Sequence, residues 1–367
     1  MMPRNRVKYC DALRLIAIFS VVMIHVLAMY RDTYIATNKL YYGIVTFFDS
    51  LTRTGVPIFF MITGAFMLSK KEDLKYKDFI KKRLPKLCIP FLIISIIYYI
   101  YNGYINKETV SILNFIEVFT SGGGVKYHFW FMYTIITLYL FIPFLKVLVQ
   151  NLKCNDLKIL ITIIFIFGNL LNTINLFTTK IGIPLFSGFI LNNLIIYTNY
   201  VFLGYYLYKY EVKPEIRKKI YIIGVLSILA LPIADVFYQG NTRMDVLVTA
   251  TSIFPFFPSI SIFLLFKYNY NKWKIPNIIE KFINRTTPLI FYIYMVHVLI
   301  MEIIGRIILK WWVPSRFIEN GIFCLLQFIM TFSVSYIISM FINWMYNKIA
   351  IIIKQEKKRY ENSHKKY

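Results

Sequence analysis

The sequence has few charged residues, and acidic ones are especially scarce. Charged side chains make up 16% of the 367 residues, against about 25% in an ordinary soluble domain. Only 18 residues are Asp or Glu, so the 42 Lys and Arg residues give a formal net charge of +24. Hydrophobic residues reach 58%, and the mean hydropathy is +0.58. This composition excludes a cytosolic enzyme, a secreted disulfide scaffold and a disordered protein.

Cysteine is also scarce, with four residues in the whole chain. None of them has the spacing to another cysteine or to a histidine that zinc sites require. We therefore expect no metal site, and we expect four unpaired thiols in apolar or interfacial positions. The four are Cys10, Cys88, Cys154 and Cys324.

Long apolar runs are abundant, and they have the length that crosses a bilayer. A transmembrane helix needs about 20 mostly apolar residues, and ten such runs would use nearly all of the apolar content. We predict an all-α, polytopic integral membrane protein with about ten transmembrane helices and no soluble domain. The predicted spans are 12–30, 43–68, 87–102, 129–146, 159–176, 189–208, 220–236, 246–266, 287–305 and 320–346.

The distribution of Lys and Arg predicts the orientation of these helices. Ten crossings put both termini on one side, and 32 of the 42 basic residues fall on that side. Because cytoplasmic loops of membrane proteins carry the excess of basic residues, both termini are predicted to be cytoplasmic. The net charge then reflects topology and attraction to anionic membrane lipids. We expect those lipids, and no nucleic acid, as partners.

We divide the chain into a transmembrane domain at 1–353 and a basic cytoplasmic tail at 354–367. The second predicted span is expected to be interrupted, because Pro57 removes a hydrogen bond within it and kinks a helix. Asp49 and Arg53 lie four residues apart just before this interruption. They are expected to pair near the outer mouth of a cavity.

Two ionisable residues share one face of the first predicted span. Arg14 lies near its cytoplasmic end and His25 lies well inside it, about 16 Å farther along a helix. Eleven residues are close to three turns, so both side chains project from nearly the same face. Asp11 falls near this stripe and could hold the guanidinium of Arg14. A reaction in which a charged donor enters from the cytosol and a base lies deeper in the membrane would need this arrangement. A histidine that only bonds to a neighbouring helix, together with an arginine whose side chain reaches the membrane interface, explains it equally.

Other ionisable residues are weaker candidates for a site. His128 and His297 could line it. The alternatives are an interfacial aromatic belt at His128 and a structural hydrogen bond at His297. The basic run 81–86 precedes the third span, with Pro85 expected to begin its helix. Cations at a helix N-terminus suit a phosphorylated donor, although topology alone explains the same run.

Five segments, in order along the chain, resemble the membrane-bound acyltransferase family 3. The resemblance covers about residues 8–345, which is essentially the whole sequence. Two positions depart from the family pattern: Thr63 stands where VPxFFxxSG has serine, and Lys86 stands where the R-x-x-R motif has its second arginine. The first change keeps a hydroxyl, and the second keeps the charge but loses bidentate phosphate binding. The segments are Arg14 to His25 (Arg-x10-His), 56–64 (VPxFFxxSG), 83–86 (R-x-x-R), 128–133 and 293–297.

The resemblance implies an O-acyltransferase in the plasma membrane. Such an enzyme moves an acyl group, usually acetyl, from a cytosolic acyl-CoA to a hydroxyl of an envelope polysaccharide or glycolipid. Acetyl-CoA would be the donor, and no metal would take part. Arg14 and His25 would be the catalytic residues, with His25 as the general base or as a group that is itself acylated first. Arg14, Arg83 and Lys86 would hold the donor phosphates. Weaker candidates for lining the site or binding the acceptor would be His128, Arg53 and His297.

A transporter or exporter of a glycan or small polar solute, using the same cavity, is the alternative. The interrupted second span favours it, whereas the lack of an internal repeat and the basic cluster at 81–86 count against it. No motif identifies the acceptor or the acyl group.

Overall fold

The computed structural model of the protein describes residues 6–34, 38–70, 76–121, 124–239, 247–312 and 316–363. These residues form helices joined by loops and turns, and no strand occurs among them. The all-α prediction is therefore confirmed. The α-helices are α1 (Lys8–Tyr34), α2 (Lys39–Thr52), α3 (Gly55–Met67), α4 (Tyr76–Asn106), α5 (Ile112–Thr120), α6 (Trp130–Asn151), α7 (Cys154–Ile164), α8 (Leu171–Lys180), α9 (Asn193–Lys209), α10 (Pro214–Gln239), α11 (Phe256–Asn269), α12 (Asn277–Thr286), α13 (Ile290–Trp311) and α14 (Phe317–Ser363).

Seven helical segments in the described ranges are long and apolar enough to cross a membrane. Each covers one of the ten predicted spans, so the membrane character of the chain is confirmed and the count of ten is not. The other three predicted spans, 43–68, 189–208 and 246–266, contain only shorter helices. The seven segments are Lys8–Asp32, Tyr76–Asn106, Tyr127–Asn151, Cys154–Lys180, Pro214–Tyr238, Asn277–Trp311 and Phe317–Lys348.

The predicted interruption of the second span is confirmed, but its position differs slightly. α2 ends at Thr52 and α3 begins at Gly55, so the chain leaves the helix at Arg53 and Thr54. Pro57 lies in the first turn of α3, where a backbone N–H has no partner within its own helix. The proline therefore fits the start of α3 and does not kink a continuous helix.

The predicted span at 246–266 begins without a helix. Residues 247–255 form bends and turns, and α11 follows them. Asn169 donates from Nδ2 to two carbonyls in this segment, including that of Ala250 at 3.1 Å. Tyr200 donates its hydroxyl to the same carbonyl at 2.7 Å. Neighbouring side chains thus satisfy backbone groups that an apolar environment would leave without partners.

α4 begins nearer the N-terminus than the sequence indicated. Its first residue is Tyr76, so the prediction that Pro85 begins this helix is wrong. Pro85 lies inside α4, where it removes the hydrogen bond to the carbonyl of Lys81. Both residues are exposed, so solvent or lipid headgroups can satisfy that carbonyl. The cations at 81–86 consequently lie along the first turns of a longer helix.

The chain divides into two compact units, Met1–Lys274 and Ile275–Tyr367. In the first unit α1 packs against α2 and α3, α3 packs along α9, and α4 packs against α6. In the second unit α13 packs against α14. α14 continues to Ser363, through most of the tail predicted at 354–367. The last four residues, including His364, lie outside the described residues.

Two glycines allow α3 and α9 to cross at backbone contact. A Cβ atom on Gly64 would lie 1.8 Å from the carbonyl oxygen of Val201, and one on Gly204 would lie 1.9 Å from that of Met61. No side chain fits at either position. Small residues at such crossings bring membrane helices close enough for backbone packing, so these glycines determine how the broken α2–α3 segment lies in the unit.

Candidate active site

Arg14 is held on two sides in the first half of α1. Its Nη1 donates to Oδ1 of Asp11 at 2.6 Å, which confirms the pair expected from their spacing. The guanidinium also lies over the ring of Phe66 in α3, 4.7 Å from the ring centroid, in a cation–π contact. The side chain of Asp11 is 5% exposed and that of Arg14 is 27% exposed. The guanidinium is therefore fixed in direction while part of it stays accessible.

A cavity of about 290 Å³ lies at the same end of the first unit, between α3, α4 and α6. Met67, which follows Phe66 in α3, is part of its wall. In the part of the chain that the structure describes, no carboxylate lines it. Its polar lining is cationic or neutral and its other walls are apolar, so the cavity suits an anion that also has an aromatic or apolar part. The polar lining comes from Lys70, Arg83, Lys146 and Gln150, and aromatic rings come from Tyr76, Phe79 and Phe144.

The two basic residues of the R-x-x-R-like motif have different positions. Arg83 lines the cavity, whereas Lys86 lies on the exposed surface of α4 and does not. Tyr139 of α6 packs near Phe79 of the cavity wall, with the ring centroids 6.4 Å apart. Of the three predicted phosphate-binding residues, Arg83 lines the cavity and Arg14 contacts Phe66, the residue before Met67 of its wall. Lys146 completes the basic lining opposite α4.

His25 lies farther along α1, in contact with residues that precede α6. Its ring centroid is 5.2 Å from that of Tyr127 and 6.1 Å from that of His128. Both neighbours belong to a short 3-10 turn, Tyr127–Phe129. His128 is 1% exposed, whereas Tyr127 is 52% exposed. One of the three weaker predicted residues, His128, therefore lies beside the predicted base.

Three helices connect the cationic cavity with His25. α1 runs from Arg14 to His25, and α6 runs in the opposite direction from His128 to Lys146. At the rise of an α-helix these separations are about 16 Å and about 27 Å. α4 contacts both ends, because it lines the cavity and also packs an aromatic ring against His128. A cation-lined cavity thus lies toward one end of α4 and α6, and the pair of His25 and His128 lies at the other end.

Arg53 belongs to a buried ion cluster at the break between α2 and α3. Its Nη2 donates to Oδ2 of Asp49 at 2.6 Å, so the pair predicted from their spacing is confirmed. Arg31 of α1 donates from Nη1 to the same oxygen at 2.6 Å. The side chains of Arg31 and Asp49 are 0% exposed. The observed contacts of Arg53 are therefore structural, and its role toward an acceptor stays a prediction.

His297 lies in the second unit, within α13, and its ring is fully buried. Its Nδ1 lies 2.6 Å from the carbonyl oxygen of Tyr294, one turn earlier in the same helix. This contact is the structural hydrogen bond considered as the alternative for this residue. A role in lining the site stays a prediction.

The remaining polar groups do not form a metal centre in the described ranges. No three His, Cys, Asp or Glu side chains there could together hold a metal ion. All four cysteines are free, as expected from their spacing. Residues that sequence reasoning missed, such as Lys70, Lys146 and Tyr127, reach the site through tertiary packing. Of these three residues the sequence itself marks only Lys146, because a lysine inside a long apolar run is unusual.

The sequence model of a family described as an acyltransferase domain matches residues 7–344, nearly the whole chain. The match includes both ends of the site and most of the second unit. No curated protein and no solved structure matches the chain.

Proposed function

The chain belongs to the acyltransferase 3 family, and we propose that it transfers an acyl group from a cytosolic acyl-CoA to a hydroxyl of an envelope polysaccharide or glycolipid. The acyl group is acetyl and the membrane is the plasma membrane in this proposal. One observation carries it: a cation-lined cavity and a histidine pair lie at opposite ends of α1, α4 and α6. A donor with a polyanionic end and an acceptor on the other side of a membrane need such a separation.

The proposal includes ten crossings with both termini in the cytoplasm. The α2–α3 segment, α9 and α11 with the turns before it would supply the three crossings that have no long helix. Such crossings are possible where protein groups satisfy the backbone, as Asn169 and Tyr200 do before α11. The excess of Lys and Arg on the side of the termini supports this orientation. The cavity that Arg83 lines would then open to the cytosol.

The cavity between α3, α4 and α6 would be the donor site. Arg83 would bind phosphate oxygens through a bidentate contact, with Lys70 and Lys146 as further cations. The aromatic walls suit the adenine of a CoA thioester. Lys86, exposed on α4, would add only long-range attraction. Arg14, fixed by Asp11, would bind the inner phosphates and direct the thioester arm along α1 toward His25.

His25 would act as general base at the other end. It takes the proton of the acceptor hydroxyl while the oxygen attacks the thioester carbonyl carbon. A C–O bond forms, the C–S bond breaks, and the leaving thiolate takes the proton from the imidazolium. Alternatively a nitrogen of His25 attacks the thioester first and passes the acyl group to the hydroxyl. Neither route needs a metal ion.

The test is the transfer of labelled acetyl groups from acetyl-CoA to envelope glycan in membranes that contain the wild-type or the His25→Ala protein. Loss of a general base should lower transfer by about a hundredfold or more. Ile24→Ala, a neighbour on α1 outside the site, is the matched control and should keep wild-type transfer. Undiminished transfer by a folded and inserted His25→Ala protein would overturn the assignment.

A transporter or exporter is the second candidate, because the α2–α3 break and the irregular segment at 247–255 resemble the discontinuous helices of transporters. In that case the wild-type protein would move a glycan or polar solute without incorporating acetyl label. The same assay distinguishes the two functions.

A further inference from the structure

A second histidine lies close enough to His25 to share a ligand with it. The ring centroids of His25 and His128 are 6.1 Å apart, and the rings are inclined at 68°. Because ring nitrogens lie close to the centroid, the nearest nitrogens are farther apart than the about 3 Å of a direct hydrogen bond. One oxygen atom that bonds to a nitrogen of each ring would need those nitrogens within about 6 Å of each other, which this centroid separation allows.

Aromatic side chains fix the ring of His128. Its centroid lies 4.4 Å from that of Phe129 and 5.6 Å from that of Tyr98 in α4. Phe91 lies about two turns before Tyr98 in α4. Its ring packs edge-on against that of Phe129, with the ring centroids 5.2 Å apart. The turn itself closes with a hydrogen bond from the N–H of Phe129 to the carbonyl of Lys126 at 2.9 Å. An imidazole held in this way is pre-oriented for a ligand, which is what efficient positioning requires.

Tyr127 adds an accessible wall next to this pair. Its ring lies 5.2 Å from that of His25, yet 52% of the residue is exposed. His128, the next residue, is 1% exposed. The turn Tyr127–Phe129 thus places the partly exposed ring of Tyr127 and the buried imidazole of His128 next to His25. This combination of an apolar face and a few convergent polar groups is typical of a small-molecule subsite.

We propose that His25, Tyr127 and His128 form the subsite for the acceptor, and that the acceptor is a sugar whose hydroxyl lies between the two imidazoles. A ring N–H of His128 donates to the hydroxyl oxygen, and the hydroxyl proton points to a nitrogen of His25. The apolar face of the sugar ring packs against Tyr127. During transfer His25 takes the hydroxyl proton and returns it to the leaving thiolate, while His128 keeps its own proton.

This inference rests on the proposed function and adds a positioning role for His128. The experiment uses the full-length protein in native membranes, with acetyl-CoA and extracted envelope glycan varied separately. His128→Ala should raise the KM for glycan about tenfold, the effect of losing one hydrogen bond. The KM for acetyl-CoA should stay within twofold of the wild-type value. His128→Gln, whose amide can still donate, should recover part of the loss.

Two control variants separate positioning from packing. Phe129→Leu disturbs the surroundings of His128 without removing a polar group, and it should raise the KM for glycan less than His128→Ala does. Tyr127→Leu removes the aromatic face and should raise the KM for glycan, and Tyr127→Phe, which keeps that face, should raise it less. Equal losses in Phe129→Leu and His128→Ala, or a parallel rise in the KM for acetyl-CoA, would overturn the inference.

The outcomes also separate this inference from the proposed function. If His25→Ala abolishes transfer and His128→Ala has wild-type kinetics, the acceptor subsite is wrong and the general base stands. If His25→Ala keeps full transfer, the general base is wrong, and the hydroxyl position derived from it is wrong as well. Thermal unfolding in detergent identifies any variant that fails to fold, and His128→Gln then replaces His128→Ala in the comparison.

Discussion

Arg31 and Asp49 form a fully buried ion pair, with Nη1 2.6 Å from Oδ2 and both side chains 0% exposed. Arg53 donates to the same carboxylate from the break between α2 and α3. Arg31 follows His25 in α1 by less than two turns. The carboxylate of Asp49 therefore ties the segment of α1 that carries the proposed base to the broken helix beside it.

Asp49→Ala should destabilise the protein strongly. The substitution leaves two guanidinium groups without their shared carboxylate, and breaking a buried ion pair lowers the free energy of unfolding by about 3–5 kcal/mol. Unfolding in detergent, followed by helix content, measures the change. Glu319→Gln is the control, because its pair with Arg316 is long, at 3.9 Å, and Arg316 is 85% exposed. We expect a loss below about 1 kcal/mol there, and equal losses would contradict a structural role for Asp49.

Arg83 and Lys86 provide a matched pair on one helix. Arg83→Ala removes a cation from the cavity lining and should raise the KM for acetyl-CoA by about ten- to a hundredfold, the effect of a charge-assisted hydrogen bond. Lys86→Ala removes the same charge from the exposed face of α4 and should change that KM by less than about threefold. Initial rates at varied acetyl-CoA measure both. A larger effect at Lys86 would place the donor outside the cavity.

Lys146→Ala should resemble Arg83→Ala, because both side chains line the same cavity. The KM for acetyl-CoA should rise about tenfold or more, and added salt should weaken the wild-type enzyme more than the variant. Lys153→Ala, on the loop that follows α6, is the comparison that changes net charge equally. If the two lysines behaved alike, the effect would be general attraction and not binding in the cavity.

Arg14→Lys should lower transfer although the charge is kept. The guanidinium donates to Asp11 while it lies over the ring of Phe66, and a lysine ammonium lacks the planar group that makes both contacts there. We expect a decrease of about tenfold in kcat/KM for acetyl-CoA, with little change in the KM for glycan. An increase in the KM for glycan alone would contradict donor binding by Arg14 and would assign it to acceptor binding.

The sequence predicted the long helices and the local pairs well. A continuous apolar run is enough to indicate a membrane helix, because such a helix satisfies its own backbone. The Asp11–Arg14 and Asp49–Arg53 pairs were predictable because residues three or four apart share a helix face. The turns at 247–255 had no such local sign. Their partner Asn169 lies 81 residues from Ala250 in the chain, so only the fold reveals the contact.

The site was predicted in part for the same reason. Arg14 and His25 lie on one helix, so their spacing shows a common face. Lys146 lines the same cavity as Arg83 because α6 packs beside α4, and Tyr127 lies next to His25 because the turn before α6 contacts α1. From sequence, Lys146 was one more cytoplasmic cation, and no local pattern marked Tyr127. Tertiary contacts between distant segments, and not residue type, distinguish them.

The central claim is that donor and acceptor bind at opposite ends of α1, α4 and α6, on opposite sides of the membrane. Sealed vesicles of known orientation test it, with labelled acetyl-CoA added only outside. In the proposed orientation inside-out vesicles expose the Arg83 cavity, and they should incorporate label into glycan enclosed in their lumen. Right-side-out vesicles should do so only after they are made permeable. Equal incorporation by intact right-side-out vesicles, with His25→Ala inactive in both, would contradict the account.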